Sequence, residues 1–149
     1  MRVSAFGVGL RFPDWPTYRA RYARVVWEPV LGSGERLTAL IGARGADGRI
    51  KVIQAIRPAV LEAAFGARSA NACGLLRLVG ESLGDHLKRC GEFTGWTPPL
   101  DGFWVEAPVD ALGDDLDGVL RQAIRLRAAF GSPERFEALA ETAAEGAAP

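Results

Sequence analysis

Residues 28–41 read EPVLGSGERLTALI, and the fold turns on whether the glycines at their centre form an anion-binding loop or a turn between strands. A phosphate loop needs a strand before it, a longer glycine-rich arch closed by Lys-Ser/Thr, and a helix whose amino terminus faces the anion. No lysine follows Gly34, and Glu35 to Arg44, ERLTALIGAR, reads as a strand rather than as the start of a helix. Glycine is also what a short loop with a positive-φ position requires, so the stretch predicts a hairpin.

Outward from this turn, Tyr22 to Leu31 (YARVVWEPVL) is rich in β-branched and aromatic residues and predicts a strand. Pro29 restricts it to an edge or marks its end. A third strand spans Arg49 to Arg57 (RIKVIQAIR), introduced by the hairpin signal Asp47-Gly48. A three-residue loop at Gly32-Ser33-Gly34 sets Trp27 opposite Ala39 and Val25 opposite Ile41. A two-residue loop at Asp47-Gly48 sets Ala43 opposite Val52 and Ala39 opposite Ile56. Together the registers gather Ala23, Val25, Trp27, Leu37, Ala39, Ile41, Ala43, Ile50, Val52 and Ile56 on one face, with Gln54 the only polar intruder. This predicts a three-stranded antiparallel meander with that face inward.

The opposite face is the unusual one. The same registers place Tyr22, Arg24, Arg36, Arg44, Arg49, Lys51 and Arg57 there, around an apolar strip of Val26, Leu40 and Ile53. Arg44 falls opposite Lys51, a repulsive pairing that calls for a carboxylate from elsewhere in the chain or from a partner. A basic rim around an apolar strip suits an interface. Tyr22, Arg24, Leu40, Arg44, Arg49 and Lys51 are therefore the candidate binding residues, for a protein partner or second copy first and for nucleic acid second. Tyr22 is the one aromatic residue on this face, which gives bases little to stack on. The intramolecular alternative rests on charge: residues 1–57 hold ten Arg and Lys against four Asp and Glu, and residues 91–149 four against eleven. The acidic part can cover and neutralise the basic one.

Beyond the sheet the period becomes helical. Pro58 opens a short helix that Gly66 ends. Ser69 caps a longer one to about Arg89, with Cys73, Leu76, Val79, Leu83, Leu87 and Cys90 as its apolar stripe and Gly91 as its stop. Gly74, Gly80 and Gly84 weaken it in isolation, so packing must hold it. A fourth strand is expected over Phe103–Ala107. A helix opened by Asp114 or Asp115 runs to about Phe130 with Leu116, Val119, Leu120, Ala123, Leu126 and Phe130 inward, and Ser132-Pro133-Glu134 starts a last short helix. Residues 1–17 read as an irregular arm and 146–149 as a fraying end. The predicted fold is one α+β domain over 1–149: three or four antiparallel strands with three or four helices mainly on the apolar face.

The chain carries no complete catalytic signature. His86 and Cys90 share a helix face at a zinc-compatible spacing. Cys73, however, is 17 residues from Cys90, about 25 Å along a continuous helix. With one histidine in the chain, no metal or other cofactor is predicted. Asp110, Asp114, Asp115 and Asp117 could serve a metal-dependent hydrolase, but negative charge at a helix start is favourable without chemistry. The absence of a long apolar run or leader pattern, and two cysteines only, predict a cytoplasmic protein. The expected role is a non-catalytic adaptor or accessory subunit that binds protein through the basic face. A nucleic-acid-binding module and a small metal-dependent hydrolase are the second and third readings.

Overall fold

Tyr18–Trp27 is the strand around which the other elements are laid out. The structure, a computed structural model, describes residues 2–5, 8–11 and 14–142. Strands β1 (Arg2–Ala5) and β2 (Val8–Arg11) pair with each other, apart from the main sheet. In the main sheet β3 (Tyr18–Trp27) lies beside β4 (Leu37–Gly45), then β5 (Ile50–Gln54), then β8 (Ala138–Glu141), all antiparallel. The ten residues of β3 are long enough for two short strands to share its outer edge. β6 (Phe103–Val105) pairs with Val25–Trp27, and β7 (Val109–Gly113) pairs with Tyr18–Tyr22.

Both faces of this sheet are covered. Helices α1 (Pro58–Phe65) and α2 (Ser69–Cys90), joined by a single 3-10 turn over Gly66–Arg68, pack Leu61, Leu76, Val79, Leu83 and Leu87 against Ala23, Val25, Leu40 and Val52. Helix α3 (Leu116–Arg127) packs Leu116, Val119, Leu120, Ala123 and Ile124 against Tyr22, Ile41, Ala43 and Ile53 on the other side. Burying a Leu or Ile side chain contributes about 1.5–3 kcal/mol, and both layers hold several such residues among Ala, Val and aromatic side chains. The fold is α+β as expected, but the element counts differ and the helices occupy two faces rather than mainly one.

The differences have local causes. The turn between β4 and β5 contains Ala46 as well as Asp47 and Gly48: Gly45 and Arg49 close it, the Gly45 N–H donating to the Arg49 carbonyl at 2.8 Å. Gly48 sits at φ 89°, the left-handed position that such a three-residue loop needs. That one extra loop residue sets Ala43 opposite Lys51, not Val52. The first connection is longer still, running from Glu28 to Arg36, and Val25 faces Leu40, not Ile41. A bulge between Val25 and Val26 then sets Trp27 opposite Leu37. The two one-residue errors fall on either side of β4 and cancel. Consequently β3 and β5 keep their expected faces, while Leu40, Gly42 and Arg44 exchange sides with Ile41 and Ala43.

Among the described residues no helix follows Ser132-Pro133; the chain there runs extended into β8. β8 fills the open edge of β5 and also meets α2. A Cβ on Gly84 would overlap that of Ala140, and one on Gly80 would press on Leu139. The two helix glycines thus form the notch that seats the strand. Ser69 does not cap α2, whose preceding residue Arg68 makes no side-chain cap bond. Asp115 does cap α3, accepting from the Gly118 N–H at 2.7 Å. The helix stops at Arg127, so Phe130 lies beyond it, and Ile124 takes the inward position expected of Leu126. The fraying expected at 146–149 lies outside the described residues.

Candidate functional site

The structure separates the six expected site residues. Leu40 is 0% exposed beneath α2, and a charge there would disrupt the core rather than test an interface. Tyr22 is buried beneath α3, and Ile53 of the supposed apolar strip lies in the same layer. Arg44 projects to the α2 side, where its guanidinium lies beside Gly91 at the end of that helix. Arg44 therefore does not oppose Lys51; its neighbours across the sheet are Arg21 and Ile50. Arg24, Lys51 and Arg49 remain on the α3 side, at different places.

The basic face is covered from within, largely by the acidic carboxy-terminal part. Lys51 Nζ pairs with Asp117 at 2.9 Å and with Glu141 at 3.6 Å, so α3 and β8 both close over it. Arg24 forms a two-pronged pair with Glu106, at 2.6 and 2.8 Å, and donates a third bond to Thr38. This bonding raises the Arg24 pKa further and holds the Glu106 carboxyl below the usual carboxylate range, with Arg127 adding to the latter effect. Arg21 pairs with Asp110 at 2.9 Å in a largely solvated setting. The opening glycine turn does bind an anion, though an internal one: the N–H groups of Gly32 and Gly34 donate to the Glu28 carboxylate at 3.0 and 3.1 Å.

What stays open is the outer edge of β7. A hollow of about 950 Å³ wraps this edge, lined by Trp15, Val109, Leu112 and Leu126 together with Arg19, Arg21, Arg44 and Arg127. Trp15 is 80% exposed, Leu126 65%, Leu112 50% and Val109 37%, a concentration of large apolar side chains in water that a solvated surface does not require. Four arginines face one lining carboxylate, Asp110. Arg19 and Arg44 make no side-chain hydrogen bond or ion pair among the described residues, and Arg127 acts on Glu106 through its charge alone. A smaller cavity of about 130 Å³ continues from Val109 to Arg24 and Glu106, and a third, about 360 Å³, extends from there to Trp104 and Phe130. Arg36 stacks on Trp104 in this last one, 4.8 Å from the ring centroid.

Tyr22, Arg24 and Arg44 thus contribute to the open region, while Lys51 and Arg49 line a separate depression with Asp115 and Asp117. Sequence reasoning missed Trp15, β7 and Leu126. β7 is short, and its VDALG alternates weakly ahead of the aspartates. For Leu126 a signal existed: the stripe through Leu120 continues to Ile124 at four residues, leaving Leu126 off the apolar face.

Three of the four candidate aspartates have structural partners. Asp110 pairs with Arg21, Asp115 caps α3 and Asp117 holds Lys51. Among the described residues no group of three or more His, Cys, Asp or Glu is disposed to hold a metal ion. Buried His86 bonds through Nε2 to the Thr94 carbonyl at 3.0 Å, tying α2 to the loop that follows. Cys90, expected inward, is exposed, and Cys73 packs at the edge of the α2 layer. No described helix is long and apolar enough to cross a membrane. No family model, curated protein or solved structure matches the chain.

Proposed function

We propose that this protein is a non-catalytic protein-binding module, an adaptor or accessory subunit, that engages its partner through the hollow at the β7 edge rather than through the sheet face. The observation that supports this most is the juxtaposition of exposed Val109, Leu112 and Leu126 with Arg19, Arg44 and Arg127 in one cavity of about 950 Å³. A protein surface with aliphatic side chains and carboxylates satisfies both sets at once. Nucleic acid is the second reading, favoured by the arginines and by Trp15. It is ranked lower because three of the four exposed apolar residues are aliphatic and offer no stacking surface.

The test is a selection from random displayed peptides on the wild-type protein, with recovered clones rebound to an Arg44→Glu/Leu126→Glu variant. Both side chains lie outside the buried core, so the variant is expected to keep the wild-type circular dichroism spectrum. Clones enriched in acidic and aliphatic residues that lose binding to the variant are expected. Clones indifferent to the double substitution, or none at all, would count against the proposal.

A further inference from the structure

We propose that the hollow receives an extended acidic segment of another protein as an additional strand beside β7, an inference that rests on the protein-binding reading above. β7 is bonded to β3 along one edge and to no other strand among the described residues. A row of backbone N–H and C=O groups therefore faces outward, the arrangement that strand addition uses.

The hollow does not lie on one face of the sheet; it wraps this edge. Asp110 and Leu112 stand opposite Arg21 and Arg19 on the α2 side, whereas Val109 and Ala111 stand opposite Tyr22 and Ala20 on the α3 side. Both sets line the same cavity. A strand laid along β7 sends successive side chains to the two faces alternately. On the α2 side they meet Arg19, Arg21 and Arg44 with the single carboxylate Asp110 and Leu112, and on the α3 side they meet Val109 and Leu126 with Arg127. The α2 side, with three arginines, accordingly favours carboxylates, and the α3 side, with two exposed aliphatic side chains beside one arginine, favours aliphatic ones. The segment that fits alternates acidic and aliphatic residues over about the five residues of β7.

The test uses a fluorescein-labelled octapeptide of alternating glutamate and valine, with fluorescence anisotropy as the readout. In a paired strand the N–H groups of every second residue face the partner strand and the rest face away. Methylating the glutamate nitrogens in one peptide and the valine nitrogens in another should therefore abolish binding in one case and spare it in the other. Arg44→Glu should weaken the unmethylated peptide about tenfold, and added salt should weaken it further. Equal binding of both methylated peptides would overturn strand addition while leaving the hollow as a protein-binding site. Failure of the octapeptide, while selected peptides still depend on Arg44 and Leu126, would do the same. If a single-stranded oligonucleotide displaces the octapeptide and binds more tightly, both the strand proposal and the protein-binding reading fall.

Discussion

At Gly84 one hydrogen atom in place of a methyl group decides whether β8 can dock. A Cβ there would overlap that of Ala140, which is anchored directly to the strand backbone and cannot rotate away. Overpacking of this kind costs about 1–3 kcal/mol, more than the gain of about 1 kcal/mol that alanine brings to a helix interior. Gly84→Ala is therefore expected to destabilise the protein in urea denaturation. Gly74→Ala, with no atom within 4 Å of its added Cβ, should stabilise it. Equal effects of the two substitutions would remove the notch as the reason for the glycine. A helix-propensity scale marks all three α2 glycines as weak points, and only the position of β8 separates Gly80 and Gly84 from Gly74. That distinction was not legible, because Leu139 and Ala140 lie more than fifty positions away in a segment whose own pattern reads as helical.

At the scale of elements, the β4–β5 hairpin shows why much of the sheet could be read and its faces only in part. The strands announce themselves through β-branched and aromatic content, and both turns carry glycine where glycine is needed. Register, however, depends on counting loop residues, and Ala46 carries no mark that it belongs to the turn rather than the strand. Agreement between the two hairpins was no safeguard, since shifting β4 by one residue against both neighbours leaves β3 and β5 consistent with each other. The turn is pinned by Tyr18, whose hydroxyl donates to Asp47 at 2.8 Å. Burial first, and then the bond to Asp47 and its charge, push the Tyr18 phenol up to about 12. For Asp47, partial burial is outweighed by the Arg49 N–H and the Tyr18 hydroxyl, which hold the carboxyl below its ordinary value. The folded protein keeps the phenolic proton to about 12 while the unfolded chain releases it near 10.0. The associated stability is thus intact below pH 10 and lost as pH rises from there to about 12. Unfolding free energies measured across this window should fall in the wild type and lose that component in Tyr18→Phe; parallel profiles would contradict the assignment.

For the whole molecule, the charge asymmetry visible in the sequence is in part an internal matter: Arg21, Arg24 and Lys51 pair with carboxylates of the last third of the chain. Lys51 on β5 ties together Asp117 of α3 and Glu141 of β8. Lys51→Met leaves two carboxylates facing each other without their cation. A loss of about 1 kcal/mol is expected, discounted for the exposure of both acids. High salt should then stabilise the variant relative to low salt by screening the carboxylates. Salt dependence identical to that of wild type would show that Lys51 is merely solvated. The same closure shapes how the chain must fold. Arg24 and Glu106 are 82 positions apart, Arg21 and Asp110 are 89, and the Ile50 N–H reaches Thr142 across 92. Both edges of the central meander are therefore filled by the last third of the chain, after the loop-closure entropy of long separations has been overcome. A meander formed ahead of these distant contacts would present two unpaired strand edges, the arrangement through which chains self-associate.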